Sequence, residues 1–136
     1  MNVQPYLYFD GSTEAALGFY TKAIGAKIEM MMRFKDSPDT KMCTPDNKEK
    51  VMHVCFKVGD TAIFASDGMN KGNPNFDGFA LSLNAKDKAD AAKLFGALGE
   101  GGAVTMPLAE TFFAHSFGML KDKFGVNWIV IAAKPM

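Results

Sequence analysis

An α+β domain built from two βαβββ modules is the fold class this chain predicts, and three observations predict it. Ala15-Ala16, Phe19, Gly25, Ile28 and Met30 reappear at one constant offset as Ala91-Ala92, Phe95, Gly101, Val104 and Met106. A helix, its glycine stop and the next strand thereby coincide in register. In each half a strand pattern leads into an amphipathic helix and then into three more strand patterns. The chain has 136 residues, 48% of them hydrophobic, enough for one domain with a real core and too few for two ordinary ones.

The elements follow in order. Pro5 to Phe9 reads as the first strand. Leu17, Tyr20 and Ile24 then recur at helical spacing, with Ser12 or Thr13 as N-cap and Gly25 just past the end. Strands are expected at Lys27 to Phe34, Met52 to Val58 and Thr61 to Ser66, the last two joined by a turn at Gly59-Asp60. The second half opens at Phe79 to Asn84. Its helix carries Ala91, Leu94, Phe95 and Leu98 between a cap at Asp87 and Gly99. Ala103 to Pro107, Ala114 to Lys121 and Asn127 to Ala132 complete it, with Asp122 to Gly125 as the last connection. Residues 1–67 and 79–136 are the expected modules of a single domain, and 68–78, rich in Gly, Asn and Pro, the linker. Lys35 to Lys50 holds four Lys, three Asp, one Glu and two Pro, too polar to pack, and reads as a mobile surface loop or a lid.

Composition excludes some functions. Fifteen basic and fifteen acidic residues balance, and no basic stretch is interleaved with aromatics, so nucleic acid is not an expected partner. No apolar run approaches the roughly 18 residues that span a bilayer, and Met1 to Asp10 lacks the pattern of an export signal. A soluble cytoplasmic protein is expected. Cys43 and Cys55 lack CxxC spacing and are expected to be free thiols.

Pro5-Tyr6-Leu7-Tyr8-Phe9, Phe19-Tyr20, Ile24-Gly25-Ala26, Ser66-Asp67 and Gly78-Phe79 carry a resemblance that continues through Thr105 to Trp128. Its most specific part is Glu110-Thr111-Phe112-Phe113-Ala114-His115, then Phe117-Gly118 and Asp122-Lys123-Phe124-Gly125-Val126-Asn127-Trp128. With these residues the chain resembles the PhnB-like branch of the glyoxalase, bleomycin-resistance and dihydroxybiphenyl-dioxygenase group, the vicinal oxygen chelate superfamily. The resemblance implies a curved mixed sheet with helices on its outer face, a cavity in each half, and pairing of two chains into a homodimer. Metal-dependent members place one ligand on the first and one on the last strand of each half. The resemblance carries those places onto Pro5 or Gln4, Ala65, Gly78 or Phe79, and Ile129. Pro5, Ala65, Gly78 and Ile129 offer no side-chain lone pair to a divalent ion, so neither a metal centre of the glyoxalase type nor another cofactor is expected.

The remaining polar chemistry is sparse. Strand alternation puts His53 and Cys55 on one face and Met52, Val54 and Phe56 on the other. His53 therefore either looks into the cavity or is a neutral core histidine. Asp67, two residues after Ala65, either binds a polar group from the face of the lost ligand or starts a turn before Gly68. Glu110 and His115 have odd spacing and share a cavity only if Thr111 to Ala114 bends. With His53 they form a two-His, one-carboxylate set of the non-haem iron type. Tyr6, Tyr8, Phe112, Phe113, Phe117 and Trp128 either wall an aromatic cavity or belong to the core.

Two functional readings result. In the favoured one the protein binds a small, partly aromatic molecule, without metal, through Tyr6, Tyr8, His53, Asp67, Phe113, Phe117 and Trp128. In the alternative it is an enzyme of lyase, isomerase or dioxygenase type using His53, His115 and Glu110, with or without a divalent metal. Methyl transfer, a label often attached to this branch, ranks third because no Gly-rich GxGxxG turn opens a helix after a strand.

Overall fold

The structure, a computed structural model, describes residues 1–68 and 74–135. The chain divides into two compact units, Met1–Pro74 and Asn75–Met136. The first holds β1 (Tyr6–Tyr8), α1 (Thr13–Ile24), β2 (Lys27–Arg33), β3 (Val51–Val58) and β4 (Thr61–Ser66). The second holds β5 (Leu81–Asn84), α2 (Lys88–Gly99), β6 (Ala103–Ala109), β7 (Ala114–Lys121) and β8 (Asn127–Ala133). The two sheets repeat one topology, β1-β4-β3-β2 and β5-β8-β7-β6, in which only the first pair of each is parallel. Both units are therefore βαβββ modules of an α+β fold. Of the expected linker, residues 69–73 lie outside the described residues.

In the first unit the helix forms over Thr13, Ala16, Leu17 and Tyr20, buried at i, i+3, i+4 and i+7. This stripe covers the sheet face made by Leu7, Val54, Phe56, Ile63 and Ala65, with the Tyr20 and Phe56 rings stacked at 6.2 Å. Gly25 ends the helix with φ 71, a left-handed geometry that returns its N–H to Thr21. Ser12 occupies the N-cap position as expected, but its side chain makes no capping bond. Asp67 supplies the cap from the end of β4. Its Oδ1 accepts from Gly11 N (2.7 Å), Thr13 N (3.1 Å) and Thr13 Oγ1 (2.6 Å), while Oδ2 accepts from Val51 N (2.9 Å). Four donors thus neutralise the desolvation cost of a carboxylate that is almost fully buried.

The second unit reaches the same frame with different contacts. Asp87 caps α2 by accepting from Asp90 N at 2.7 Å, as its position before the apolar stripe predicts. The helix's Ala91 and Leu98 side chains are buried. At Gly118 on β7, a Cβ would lie 2.8 Å from the Phe95 ring and 3.0 Å from the Leu108 side chain, so helix and edge strand close in only over glycine. Asp122 holds the last hairpin, accepting from Phe124 N (2.8 Å), Val126 N (3.1 Å) and Trp128 Nε1 (2.9 Å). β6 runs two residues beyond the expected stop at Pro107, because an edge strand tolerates a residue with no N–H to donate.

The correspondence extends to irregularities. β2 shifts register between Ile28 and Met30, and β6 between Val104 and Met106, at equivalent points of the repeat. The polar segment after β2 contains two short 3-10 turns, Phe34–Asp36 and Thr40–Met42, and its two ends are tied together. Phe34 N donates to Lys50 O (3.1 Å), Lys35 N to Lys48 O (3.1 Å), and the Arg33 guanidinium to Glu49 O (2.8 Å). Among the described residues no helix is long and apolar enough to cross a membrane.

Asp67→Asn keeps the side-chain volume but puts a donor where only donors arrive. Urea unfolding is expected to show a loss of about 2–4 kcal/mol. A loss below about 1 kcal/mol would show that this carboxylate does not hold the unit together.

Candidate functional site

Each sheet has one face under its helix and one without it, and strand alternation decides which side chains the second face presents. In the first unit the register pairs Tyr6 with Phe64, Phe64 with Cys55 and Cys55 with Met30, giving one row across all four strands. Tyr8 pairs with Ser66 and Met32 with His53 beside it. The result is a cluster of rings. Tyr6 stacks on Tyr8 at 4.8 Å, and His53 lies 5.6 Å from Tyr6 and 5.5 Å from Phe64, stacked on the latter. The Tyr6 hydroxyl and His53 Nδ1 are hydrogen-bonded at 2.8 Å. Tyr6 and Tyr8 remain 38% and 37% exposed, which leaves ring surface for a ligand to cover. Burial holds the Tyr6 phenol above its ordinary value; Tyr8 adds to this and Ser66 opposes it.

Alternation also explains where the other residues went. Asp67 shares the parity of Ala65, as expected, but that face is the helix-packed one, so its carboxylate meets backbone amides and Thr13. Phe64, which no sequence argument singled out, stands on the open face instead. Its signal was available in its place between Ala62 and Ser66, one residue out of step with the chosen Ala65.

In the second unit Ser82, Ile129, Met119 and Met106 form the corresponding row, with Asn84, Ile131, Phe117 and Ala109 next to it. This face is mostly aliphatic. Phe113 meets Phe117 edge-on at 5.3 Å and Phe112 at 5.1 Å, and Phe112 itself is 93% exposed. Trp128 lies on the opposite side, buried, with its indole donating to Asp122. Residues 110–113 do bend: Thr111 N donates to Ala114 O at 3.0 Å, and β7 begins only afterwards. His115 is exposed near the start of that strand. Glu110 is engaged by the Lys134 ammonium at 2.9 Å, and this charge-assisted bond holds its carboxyl below the ordinary value.

The strand positions that serve metal in related folds do not fit an ion in this chain. Ala65 is buried against the helix side, Gly78 sits in a turn with φ 90 before β5 begins, and Ile129 offers hydrocarbon. On the open face of β1 and β4 the side chains are those of Tyr6, Tyr8, Ala62, Phe64 and Ser66. His53 and the pair Glu110 and His115 belong to different units. Among the described residues no group of three or more His, Cys, Asp or Glu side chains is placed to hold a metal ion.

Comparison with known proteins agrees on the fold and lineage. A family model described as 3-demethylubiquinone-9 3-methyltransferase matches residues 1–131. Protein YjdN of Escherichia coli (strain K12) is 29% identical over 142 residues, covering 98% of this chain and 97% of that one. The crystal structure of protein PA1353 from Pseudomonas aeruginosa is 41% identical, with a TM-score of 0.86 and 97% of each chain covered. The PhnB protein from Bacillus cereus is 25% identical at a TM-score of 0.81, over 98% of this chain and 100% of that one. A glyoxylase/bleomycin resistance protein/dioxygenase domain from Frankia sp. EAN1pec, 19% identical at a TM-score of 0.69 over 98% and 93%, has the same fold.

The Glu110 to Lys134 pair can be read directly by carboxyl NMR titration. Its pKa in the folded chain is lowered, so its small stabilisation is present above the ordinary value of 4.5 and disappears as pH falls through the folded midpoint. Lys134→Ala is expected to move the Glu110 midpoint up toward 4.5. An unmoved midpoint would mean that the ion pair is not formed in solution.

Proposed function

We propose a ligand-binding role from a fixed premise: the chain belongs to the 3-demethylubiquinone-9 3-methyltransferase family, the PhnB-like branch of the glyoxalase, bleomycin-resistance and dioxygenase superfamily. In this reading the protein binds a small, partly aromatic molecule on the open sheet face of its first unit. The observation that carries it is the cluster of Tyr6, Tyr8, His53 and Phe64, half-exposed rings that share one hydrogen bond and no packed helix. Flat ring faces give contact area at low entropic cost, and the imidazole adds one directional polar contact. Phe113 and Phe117 are the matching proposal for the second unit. Asp67 and Trp128 serve a ligand only by fixing the elements around them, since their polar groups are already engaged.

A homodimer is part of the same proposal. Ile28 and Met30 on β2, and Val104 and Met106 on β6, are exposed apolar side chains on the outer strands of their own sheets. Such edges are ordinarily covered.

A second reading, proton-transfer catalysis by the Tyr6 and His53 pair without metal, is favoured by their 2.8 Å contact alone. The methyl transfer named in the family description finds less support. Strand β1 leads into α1 through Phe9-Asp10-Gly11-Ser12, and β5 into α2 through Ala85-Lys86-Asp87, neither of them a Gly-rich cradle for a nucleotide-like methyl donor.

Native mass spectrometry of freshly purified protein, followed by a thermal-shift screen of aromatic small molecules, tests the proposal. A retained or screened ligand should lose at least about tenfold in affinity in Phe64→Ala and His53→Ala, with the fold intact by circular dichroism. Native spectra should also give twice the chain mass. Ligands indifferent to both substitutions would place binding elsewhere.

A further inference from the structure

We infer that Tyr6 fixes His53 as a hydrogen-bond donor through Nε2, so that this face selects flat conjugated ligands bearing a carbonyl-type acceptor oxygen. The inference rests on the ligand-binding reading above and adds to it the chemical class of the ligand.

The first step is proton bookkeeping. The count is made for the pair with the phenol protonated and the imidazole neutral. A neutral imidazole has one N–H and one bare nitrogen. The 2.8 Å contact uses Nδ1. If the phenol donates, Nδ1 is the bare nitrogen and the proton sits on Nε2. If Nδ1 donates instead, the Tyr6 hydroxyl loses this acceptor and turns its proton to water or toward Ser66, which stands on the same sheet face. That oxygen already accepts from Gly68 N at 2.9 Å and points its own proton toward Val51 O at 3.4 Å. The better acid facing the better base also favours donation by the phenol. Burial, which keeps the phenol protonated, acts in the same direction.

The second step is orientation. Stacking on Phe64 at 25° and the bond to Tyr6 hold the imidazole plane from two sides. Nε2 has no partner among the described residues, so its N–H is available to a ligand. A molecule lying on the Tyr6, Tyr8 and Phe64 rings meets a single fixed donor, and an oxygen acceptor conjugated with its ring system satisfies it in the ring plane. A purely donating group at that point leaves two donors opposed.

The test uses the full-length chain labelled with ¹⁵N. The chain has two histidines, so His115→Ala identifies the His53 signals by elimination. With the imidazole neutral, long-range ¹H–¹⁵N spectra should show Nε2 protonated and Nδ1 bare, and Tyr6→Phe should shift the Nδ1 resonance toward that of a free imidazole. Acetylnaphthalene and isopropylnaphthalene of one substitution pattern then compare equal shapes with and without the acceptor. The carbonyl probe should bind about tenfold more tightly. That advantage should vanish in His53→Ala and shrink in Tyr6→Phe. A protonated Nδ1, or equal affinity for the two probes, overturns the donor assignment while leaving the binding face in place. If neither probe binds up to its solubility limit, the ligand-binding reading fails and takes this inference with it.

Discussion

The carboxylate of Asp67 is the point on which the first unit depends. It stands at the end of β4, yet its donors come from the loop before α1, from the first turn of α1 and from the first residue of β3. One buried charge thereby fixes where the helix starts, how it lies over the sheet and where the strand bearing His53 begins. Burial in this setting is tolerable because both oxygens accept hydrogen bonds, and the geometry is specific because a misplaced element would leave an ion unpaired. The face that carries the Tyr6 and His53 contact inherits its precision from this clamp on the other side of the same strands.

The two units show how one frame supports two surfaces. Strand order, the parallel first pair, the glycine or capped helix ends and even the register shift in the outer strand are repeated. The open faces are not. The row Tyr6, Phe64, Cys55, Met30 corresponds to Ser82, Ile129, Met119, Met106, so only the outermost methionine is kept. Residues facing the helices are constrained by packing, whereas those facing away answer to whatever lies against them.

Much of the fold was legible in the chain, since helix stripes, strand alternation and glycine stops are local signals. Thr61 to Ser66 and Ala114 to Lys121 were delimited to the residue for that reason. Errors arose where the deciding partner is remote. Ser12 does stand at the N-cap, but nothing nearby announced that the capping oxygen comes from Asp67, and Pro107 looked like a stop because edge position is not written in local sequence. The candidate site followed the same rule. Parity placed His53 and Cys55 on a common face, as the structure has them, while a one-residue offset in the carried alignment pointed to Ala65 and hid Phe64. The engagement of Glu110 by Lys134 depends on β8 returning beside the loop before β7, which only the three-dimensional pairing reveals.

The segment between β2 and β3 leaves the body through a closed neck. Backbone bonds between Phe34 and Lys50 and between Lys35 and Lys48 join its two stems, and the Lys50 ammonium is tied to Asp10 at 2.7 Å. A hairpin sealed at its base transmits little of what happens at its tip. Its outer residues are therefore free to lengthen, shorten or change composition over evolutionary time without disturbing the register of the strands that flank it, which makes this excursion the natural place for lineages sharing the frame to diverge.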